Sequence, residues 1–502
     1  MNGVYERNGI RPKRQIFIDA NPYRTRVVLL ENGDAVEVYS ENRNKSSLVG
    51  SIYRGRVASV LLGMSAAFVD IGMDKNAFLS LRDFEKNSER ERLIGVENEL
   101  ASDGASPALR IGQELIVQIV KDPHGSKAAR VSTQISISGH LVVLFPTSNI
   151  VGVSRNITDD DERARLHGIL EDARGKNIGV IARTAAGGRD EAVLRDEIAI
   201  LIEKWNGVKK ASREGTGAKC LLGEYGIVER TLRDLLRPDV TRVVVNDREC
   251  YEAVCALANE IEPGSDDRIV FQPNEPNLFE TLGIEKQLDE ALRRRVYLKS
   301  GAYIVIDHTE ALVSIDVNSG KNIGGADLQQ TALATNCEAA WEIARQLRLR
   351  NIGGMVIIDF IDLISAEDKQ TVVRTLKNAL SNDRIACIVH GMTTLGLVEV
   401  TRKKLRDNLA SYMLEECQCC GGRGRTATAQ TVALKLRARL LDGLLHGNSR
   451  RVQITAAPSV LRLISQYAEA EAARCGLDGV ELSLVESRSD NIEEFSVRYL
   501  GG

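Results

Sequence analysis

The sequence predicts a multidomain α/β protein that carries a small β-barrel, on three observations. The chain has 502 residues and 43% apolar content, past the size at which one core stops growing. From Val49 to about Thr133, short alternating runs (SIYRGRVASV, SAAFVDIG, NAFLSL, ELIVQIV, ARVSTQIS) follow one another between Gly, Asp and Asn. That is the spacing of a five-stranded barrel. From Arg293 to about Met413, the strands YIVID and ALVSIDVN lead into a helical stretch and the buried-type run GGMVIIDFID, a βαβ unit expected to be right-handed.

Taken in order, the first 46 residues read as strands, with TRVVLL and AVEVYSE joined at Asn32-Gly33, a strong hairpin signal. Within the barrel region the polar stretch from Glu85 to Ala108 is its longest loop. A helix is expected to open at Thr158, where a capping hydroxyl precedes Asp159, Asp160, Asp161 and Glu162, and to stop near Gly175. The strand NIGVIART and a Gly-rich turn follow, then a helix with Leu194, Ile198, Leu201, Ile202 and Trp205 on one face. From Asp327 to Arg350 a long helix places Leu333, Cys337, Ala340, Trp341, Ala344 and Leu347 at helical spacing. The residues after the cysteine cluster form a small α/β tail.

Net charge is −3, with 66 basic against 69 acidic residues, so any surface for a polyanion must be local. Three basic groups are candidates: Arg293, Arg294, Arg295 and Lys299; Arg345, Arg348 and Arg350; Arg402, Lys403, Lys404 and Arg406. Each alone reads more simply as a solvated helix face. No apolar run approaches the ~18 residues that cross a membrane, and the charged start lacks the apolar core of a secretory signal. A cytoplasmic protein is expected. The nine cysteines are scattered except for Cys417, Cys419 and Cys420, which argues against a disulfide framework and for a metal site.

The chemistry concentrates in the βαβ unit. In ALVSIDVNSG, alternation puts Val313, Ile315 and Val317 on one face and Ser314, Asp316 and Asn318 on the other. Asp359 ends the next parallel strand, and ligand sites of open α/β sheets gather beyond such strand ends. Two converging carboxylates suit Mg²⁺ or Mn²⁺, which can activate water and neutralise charge on a phosphate. The implied reaction is phosphodiester hydrolysis. On pattern alone, a turn-capping Asp316 and a strand-ending Asp359 explain the residues equally well, and Asp362 and Asp307 read as structural.

Further candidates are weaker as bare patterns. Tyr53, Phe68 and Phe78 fall in the barrel of a chain only 4% aromatic, and barrels of this kind stack splayed bases on such rings; barrel aromatics also serve as core. Arg183-Thr184, before AAGGR, could grip a terminal phosphate through a guanidinium fork and a hydroxyl. Cys417 and Cys420 have C-x-x-C spacing, half of a tetrahedral zinc site, with no second pair nearby.

SIDVNSG, then T-N-x-E-A-A-x-E-I-A-R-Q-L-R-L-R, then GGMVIIDFIDL closely resemble the catalytic DNase I-like subdomain of the ribonuclease E/G family, down to the 43 positions between Asp316 and Asp359. The resemblance runs from about Gln15 through the cysteine cluster. It weakens beyond Gly424, and the absence of the family's long scaffold tail points to a short, ribonuclease G-type member. It implies an RNase H-like domain split between residues 1–46 and 229–292 around an OB-fold RNA-binding domain (47–133). A 5′-sensor region (134–228), the DNase I-like subdomain (293–413), a zinc-link (414–425) and a small dimerisation domain (426–502) complete the plan.

The resemblance also implies roles. Asp316 and Asp359 would hold magnesium while Asn318 orients the scissile phosphate. Phe68 and Phe78 would contact RNA, and Lys127 a phosphate. Arg183 and Thr184 would bind a 5′-monophosphate, although Ala386 stands where the better-known relatives carry a basic residue, with Arg384 two positions away. The Cys417–Cys420 pairs of two chains would share one zinc in a homodimer, with dimers able to pair into a homotetramer; Cys419 departs from the usual pattern. The RNase H-like part is expected to be inert, since QIFIDANP offers a lone Asp19.

The expected activity is single-strand-specific endoribonuclease cleavage that leaves 5′-phosphate and 3′-hydroxyl ends, in rRNA and tRNA processing and mRNA decay, with 5′-monophosphate preference. The rival from another class is a non-catalytic RNA-binding or ribosome-associated factor using the barrel alone. A phosphate-binding NTPase is a third possibility, because SGKNIGG is Gly-rich around Lys321, but the G-x-x-x-x-G-K-[ST] loop is missing.

Overall fold

A computed structural model describes residues 12–42, 47–81, 109–123, 127–223, 226–262, 264–273, 277–320, 328–446, 451–475 and 479–500. The expected loop at 85–108 and the turn around Lys321 lie outside the described residues. The chain divides into two compact units, 1–409 and 410–502.

In the first unit, strands from the two ends of the non-barrel sequence build one five-stranded sheet, in the order Ile269–Phe271, Val240–Val245, Arg14–Ala20, Arg24–Glu31 and Asp34–Asn42. Arg14–Ala20 runs parallel to Val240–Val245, more than 200 residues on, and antiparallel to Arg24–Glu31. The hairpin forms where the sequence calls for it, with Asn32 at φ 55° and Gly33 at φ 90°, the pair of positive φ values that a two-residue turn requires.

The barrel closes because Ile52–Leu61 pairs on one side with Ala66–Asp70 and on the other with Glu114–Lys121. Ala77–Ser80 and Arg130–Ser132 complete five strands around a core of Val57, Ala67, Val69, Leu79, Val117, Ile119 and Val131. A sixth strand, Lys219–Leu222, joins the outside of the barrel by pairing with Ile52–Arg54; no local pattern announces it. Arg54, 4% exposed, reinforces the join by donating to the carbonyls of Ser212, Glu214, Gly215 and Gly217.

Between barrel and hairpin sheet in sequence, a four-stranded sheet packs against helices Asp160–Ala173 and Glu191–Arg213. The first helix starts one residue later than expected: Asp159 is the cap and accepts the Glu162 amide, with Asp160, Asp161 and Glu162 in the first turn. A carboxylate both caps and opposes the helix dipole, so it displaces the threonine. The second helix buries Leu194, Ile198, Leu201, Trp205 and Val208.

The last sheet of this unit orders Arg295–Tyr297, Tyr303–His308, Leu312–Asn318, Gly354–Asp359, Leu397–Arg402 and Cys387–Met392. Its central pair is parallel and bridged by the helix Leu328–Leu349. One face packs on that helix and on Ala366–Leu380, through Ile304, Ile306, Val313, Ile315, Val317, Val356, Ile358, Val398 and Val400. The opposite face carries every candidate catalytic side chain.

The second unit is a three-stranded sheet, Glu481–Glu486, Arg451–Ala456 and Ser496–Leu500, with helices Ala429–His446 and Pro458–Cys475. Val432, Leu436, Val452, Ile454, Ala456 and Val460 are at the centre of its core.

Candidate functional site

Asp316 and Asp359 lie directly opposite one another on neighbouring parallel strands. Alternation dictates the arrangement: with Val313, Ile315 and Val317 buried against the helices, Ser314, Asp316 and Asn318 must turn to the open face, and Asp359 follows by register. Both carboxylates are exposed. Asn318 Nδ2 donates to Asp316 Oδ2 at 2.7 Å, which orients that carboxylate. Partial burial and the charges of Asp316 and Asp362 push the Asp359 carboxyl above its ordinary value. A divalent cation would relieve that repulsion. Among the described residues no three His, Cys, Asp or Glu side chains converge on one point. A cation here would be held by Asp316 and Asp359, whose hard carboxylate oxygens are of the kind that Mg²⁺ takes. Asp307 is paired with Arg294 at 2.5 Å.

The loop after Asp359 is held from below. Asn336, wholly buried on the long helix, donates to Ile361 O at 2.8 Å and accepts from Ile361 N at 3.0 Å. Gln329 Oε1 accepts from Ile364 N at 3.0 Å. Sequence reasoning passed over Asn336. The signal was an amide among the apolar positions Ala332, Cys337, Ala339, Ala340 and Ile343 that the helix buries, because a buried polar group in such a stripe must have a partner.

The barrel brings Phe68 and Phe78 together as a cross-strand pair, rings edge to face with centroids 6.1 Å apart. They alternate with buried Ala67, Val69, Ala77 and Leu79 and so stand on the outside. Lys127 is exposed. Tyr53 is the exception: it shares the inward face of its strand with Val57, packs against the barrel core, and lies opposite Cys220. The structure does not group it with the phenylalanines, because two-residue periodicity fixes its side.

Arg183 follows the strand Gly179–Ala182. Its guanidinium donates to Gly139 O at 2.7 Å and pairs with Asp234 at 2.6 Å. Thr184 Oγ1 is 3.0 Å from Ser154 Oγ. Burial opposes ionisation of Asp234, but Arg183 and Arg384 outweigh it and hold the carboxyl below its usual range. Arg384 therefore lies beside the same aspartate as Arg183; it also donates to Asp234 O at 3.3 Å, to Glu37 at 2.7 Å and to the Tyr39 hydroxyl.

In two of the three basic groups the arginines prove structural. Arg348 and Arg350 are each 6% exposed: Arg348 pairs with Glu31 and Glu37, and Arg350 bonds Gln346 and the Arg293 carbonyl. Arg345 pairs with Glu342. Arg402 is buried against Asp383 at 2.7 Å, and the Arg406 guanidinium lies 4.0 Å from the centre of the Tyr39 ring. These arginines tie the sheet of Asp316 and Asp359 and its helix to the hairpin sheet or close off the sheet itself. Asp19 is equally committed: 1% exposed, it accepts from Asn246 at 2.7 Å and from Arg26 at 2.7 Å.

In the second unit, Cys417, Cys419 and Cys420 sit in a tight turn in which Gly421 N donates to Cys417 O at 2.7 Å. Gly421, Gly422 and Gly424 all have positive φ. Hydrogen bonds from the amides and thiols of Cys420 and Cys419 pull the Cys417 thiol below its ordinary value, the direction that favours a thiolate ligand.

Comparison with known proteins places the chain among nucleases. The profile of the Ribonuclease E/G family matches residues 136–405, the stretch that holds Arg183, Asp316 and Asp359. Ribonuclease G of Escherichia coli K12 is 37% identical over 89% of this chain and 91% of its own length. Ribonuclease G of Haemophilus influenzae is 36% identical over 96% and 97%. Ribonuclease E of Buchnera aphidicola is 31% identical over 88% of this chain but only 45% of its own length. With a family profile spanning more than half the chain and relatives aligned over nearly all of it, the protein belongs to the ribonuclease E/G family.

Proposed function

We propose that this endoribonuclease hydrolyses single-stranded RNA at Asp316 and Asp359 with a bound Mg²⁺ or Mn²⁺, leaving 5′-phosphate and 3′-hydroxyl ends. The observation that carries the reading is the direct opposition of the two aspartates on an otherwise open sheet face. The ion supplies activation of water and neutralisation of charge on the phosphate. Asp316 and Asp359 hold it, and Asn318, already bonded to Asp316, turns its amide toward the phosphate that binds there.

Phe68 and Phe78 stack bases and Lys127 holds a phosphate, while Arg183 and Thr184, with Arg384 in place of the residue absent at Ala386, receive a 5′-monophosphate. Cys417 and Cys420 share a zinc with the same pair of a second chain, giving a dimer that can pair into a tetramer. No described helix is long and apolar enough to cross a membrane. The role proposed for this activity is rRNA and tRNA processing and mRNA decay in the cytoplasm. The test maps RNA 5′ ends after incubation with the wild type, Asp316→Asn and Asp359→Asn. Both variants should bind RNA and lose cleavage. Near-normal cutting by either one refutes the assignment.

A further inference from the structure

On the open face of the catalytic sheet, one feature is not used by the two aspartates. Tyr303 lies directly opposite Asn318, and Tyr297 directly opposite Tyr303, so the row Tyr297, Tyr303, Asn318 runs from the sheet edge to the centre. The adjacent row is Arg295, Val305, Asp316, Asp359. Because Ile304, Ile306 and Val317 fill the helix-packed face, both tyrosines and Arg295 share the face of the carboxylates. At a strand spacing of ~4.8 Å, the tyrosine backbones lie about 5 and 10 Å from Asn318.

The rings form a unit. Their centroids are 6.0 Å apart at 59°, and the Arg295 guanidinium sits 4.3 Å from the centre of the Tyr303 ring. Tyr297 is 67% exposed, and among the described residues its strand is the edge of the sheet. A large exposed aromatic beside an arginine, on a strand that needs neither for its core, is a surface of the kind that holds a nucleobase by its π-face and a phosphate by charge. The platform is also fixed in place: a Cβ on Gly320 would lie 2.6 Å from Gly301 O. That close approach locks the end of the Asp316 strand against the turn that leads into Tyr303.

We propose that Tyr297 and Tyr303, with Arg295, form a stacking platform for the base of a nucleotide next to the scissile phosphate, holding the RNA in register with Asp316 and Asp359. This rests on the reading of the two aspartates as the reacting centre. An RNA base fits better than a protein partner, because the platform continues the row that ends at the carboxylates and combines π-faces with a cation.

The test uses the full chain and a short single-stranded RNA with a 5′-monophosphate, its cut site mapped with the wild type. Binding is then measured in the Asp316→Asn background with RNAs made abasic at one position at a time. Removing the base next to the cut should weaken binding about tenfold, or about 1.4 kcal/mol. Tyr297→Ala with Tyr303→Ala should weaken binding of intact RNA by the same factor and add nothing on the abasic RNA. In the active chain the same pair raises KM with kcat nearly kept, and Tyr303→Phe restores it. Tyr297→Ala alone, at an exposed position, guards against loss of folding and should show part of the effect. Losses that add at every RNA position, or coupling to no base within two nucleotides of the cut, overturn the platform. So does a change in oligomeric state with RNA binding unchanged. Cleavage persisting in Asp316→Asn overturns the reacting centre instead, so the two failures are distinguishable.

Discussion

Replacing Asn336 by alanine removes both hydrogen bonds that pin the backbone of Ile361, two residues beyond Asp359. A neutral hydrogen bond is worth about 1 kcal/mol net, but a buried backbone group left unpaired costs about 1–3 kcal/mol. Ile361 is only half-buried, so water can reach part of what is exposed, and the expected loss of stability is about 2–4 kcal/mol. The protein can reduce that loss by letting the loop lift, which displaces Asp359 from its place opposite Asp316. A displacement of about 1 Å at a reacting group can cost on the order of 100-fold in rate. Asn336→Ala should therefore lower both the denaturation midpoint and kcat, and raise the Mg²⁺ concentration for half-maximal cleavage, while RNA affinity changes little. The assay is cleavage of a defined oligonucleotide across a Mg²⁺ titration, beside chemical denaturation. If Asn336→Ala keeps the wild-type Mg²⁺ dependence and kcat, the loop does not position Asp359 and the reasoning fails.

Other expectations follow from the same geometry. Burial alone would raise the Glu37 carboxyl, but Arg384 and Arg348 hold it far below the usual value of 4.5. Its stabilisation is thus complete above that value and lost as pH falls below it. Glu37→Gln leaves Arg348 buried without that carboxylate and should cost about 3–5 kcal/mol at neutral pH while flattening the acid limb of a stability profile; an unchanged acid limb counts against the network. Arg183→Ala should abolish any preference for 5′-monophosphate over 5′-hydroxyl RNA, a preference expected on the order of tenfold from one charged hydrogen bond, measured as relative rates on one oligonucleotide. Asp234→Asn should weaken the same preference partially, by leaving Arg183 less firmly placed. Chelation of zinc, or Cys417→Ser with Cys420→Ser, should convert dimer to monomer in sedimentation; a metal-free dimer refutes the shared site.

The carboxylate pair was legible because two-residue alternation is a local rule: once Val313, Ile315 and Val317 are assigned inward, Asp316 has one place to go. The same rule, applied to Tyr53 and Val57, places Tyr53 inward, and composition was the weaker guide there. Phe68 and Phe78 could be placed outside only once their neighbours' burial was known. The fate of the arginines was not legible, since the partners of Arg348 are more than 300 residues away in sequence and charge runs carry no information about distant carboxylates. The tyrosine row escaped notice for a related reason. Tyr297, Tyr303 and Asn318 become neighbours only through antiparallel register, which residue spacing alone does not specify.

The sixth strand on the barrel changes how the molecule can be taken apart. A segment cut at the barrel's apparent boundaries, 47–133, would leave behind Lys219–Leu222 and the four carbonyls held by Arg54. One stretch of the Ile52–Leu61 strand would then lose its cover, and an uncovered strand invites pairing with other chains. A buried guanidinium would lose its acceptors at the same time. The barrel is therefore not an exchangeable cassette. Grafting it onto another nuclease, or replacing it here, requires carrying residues 212–222 along.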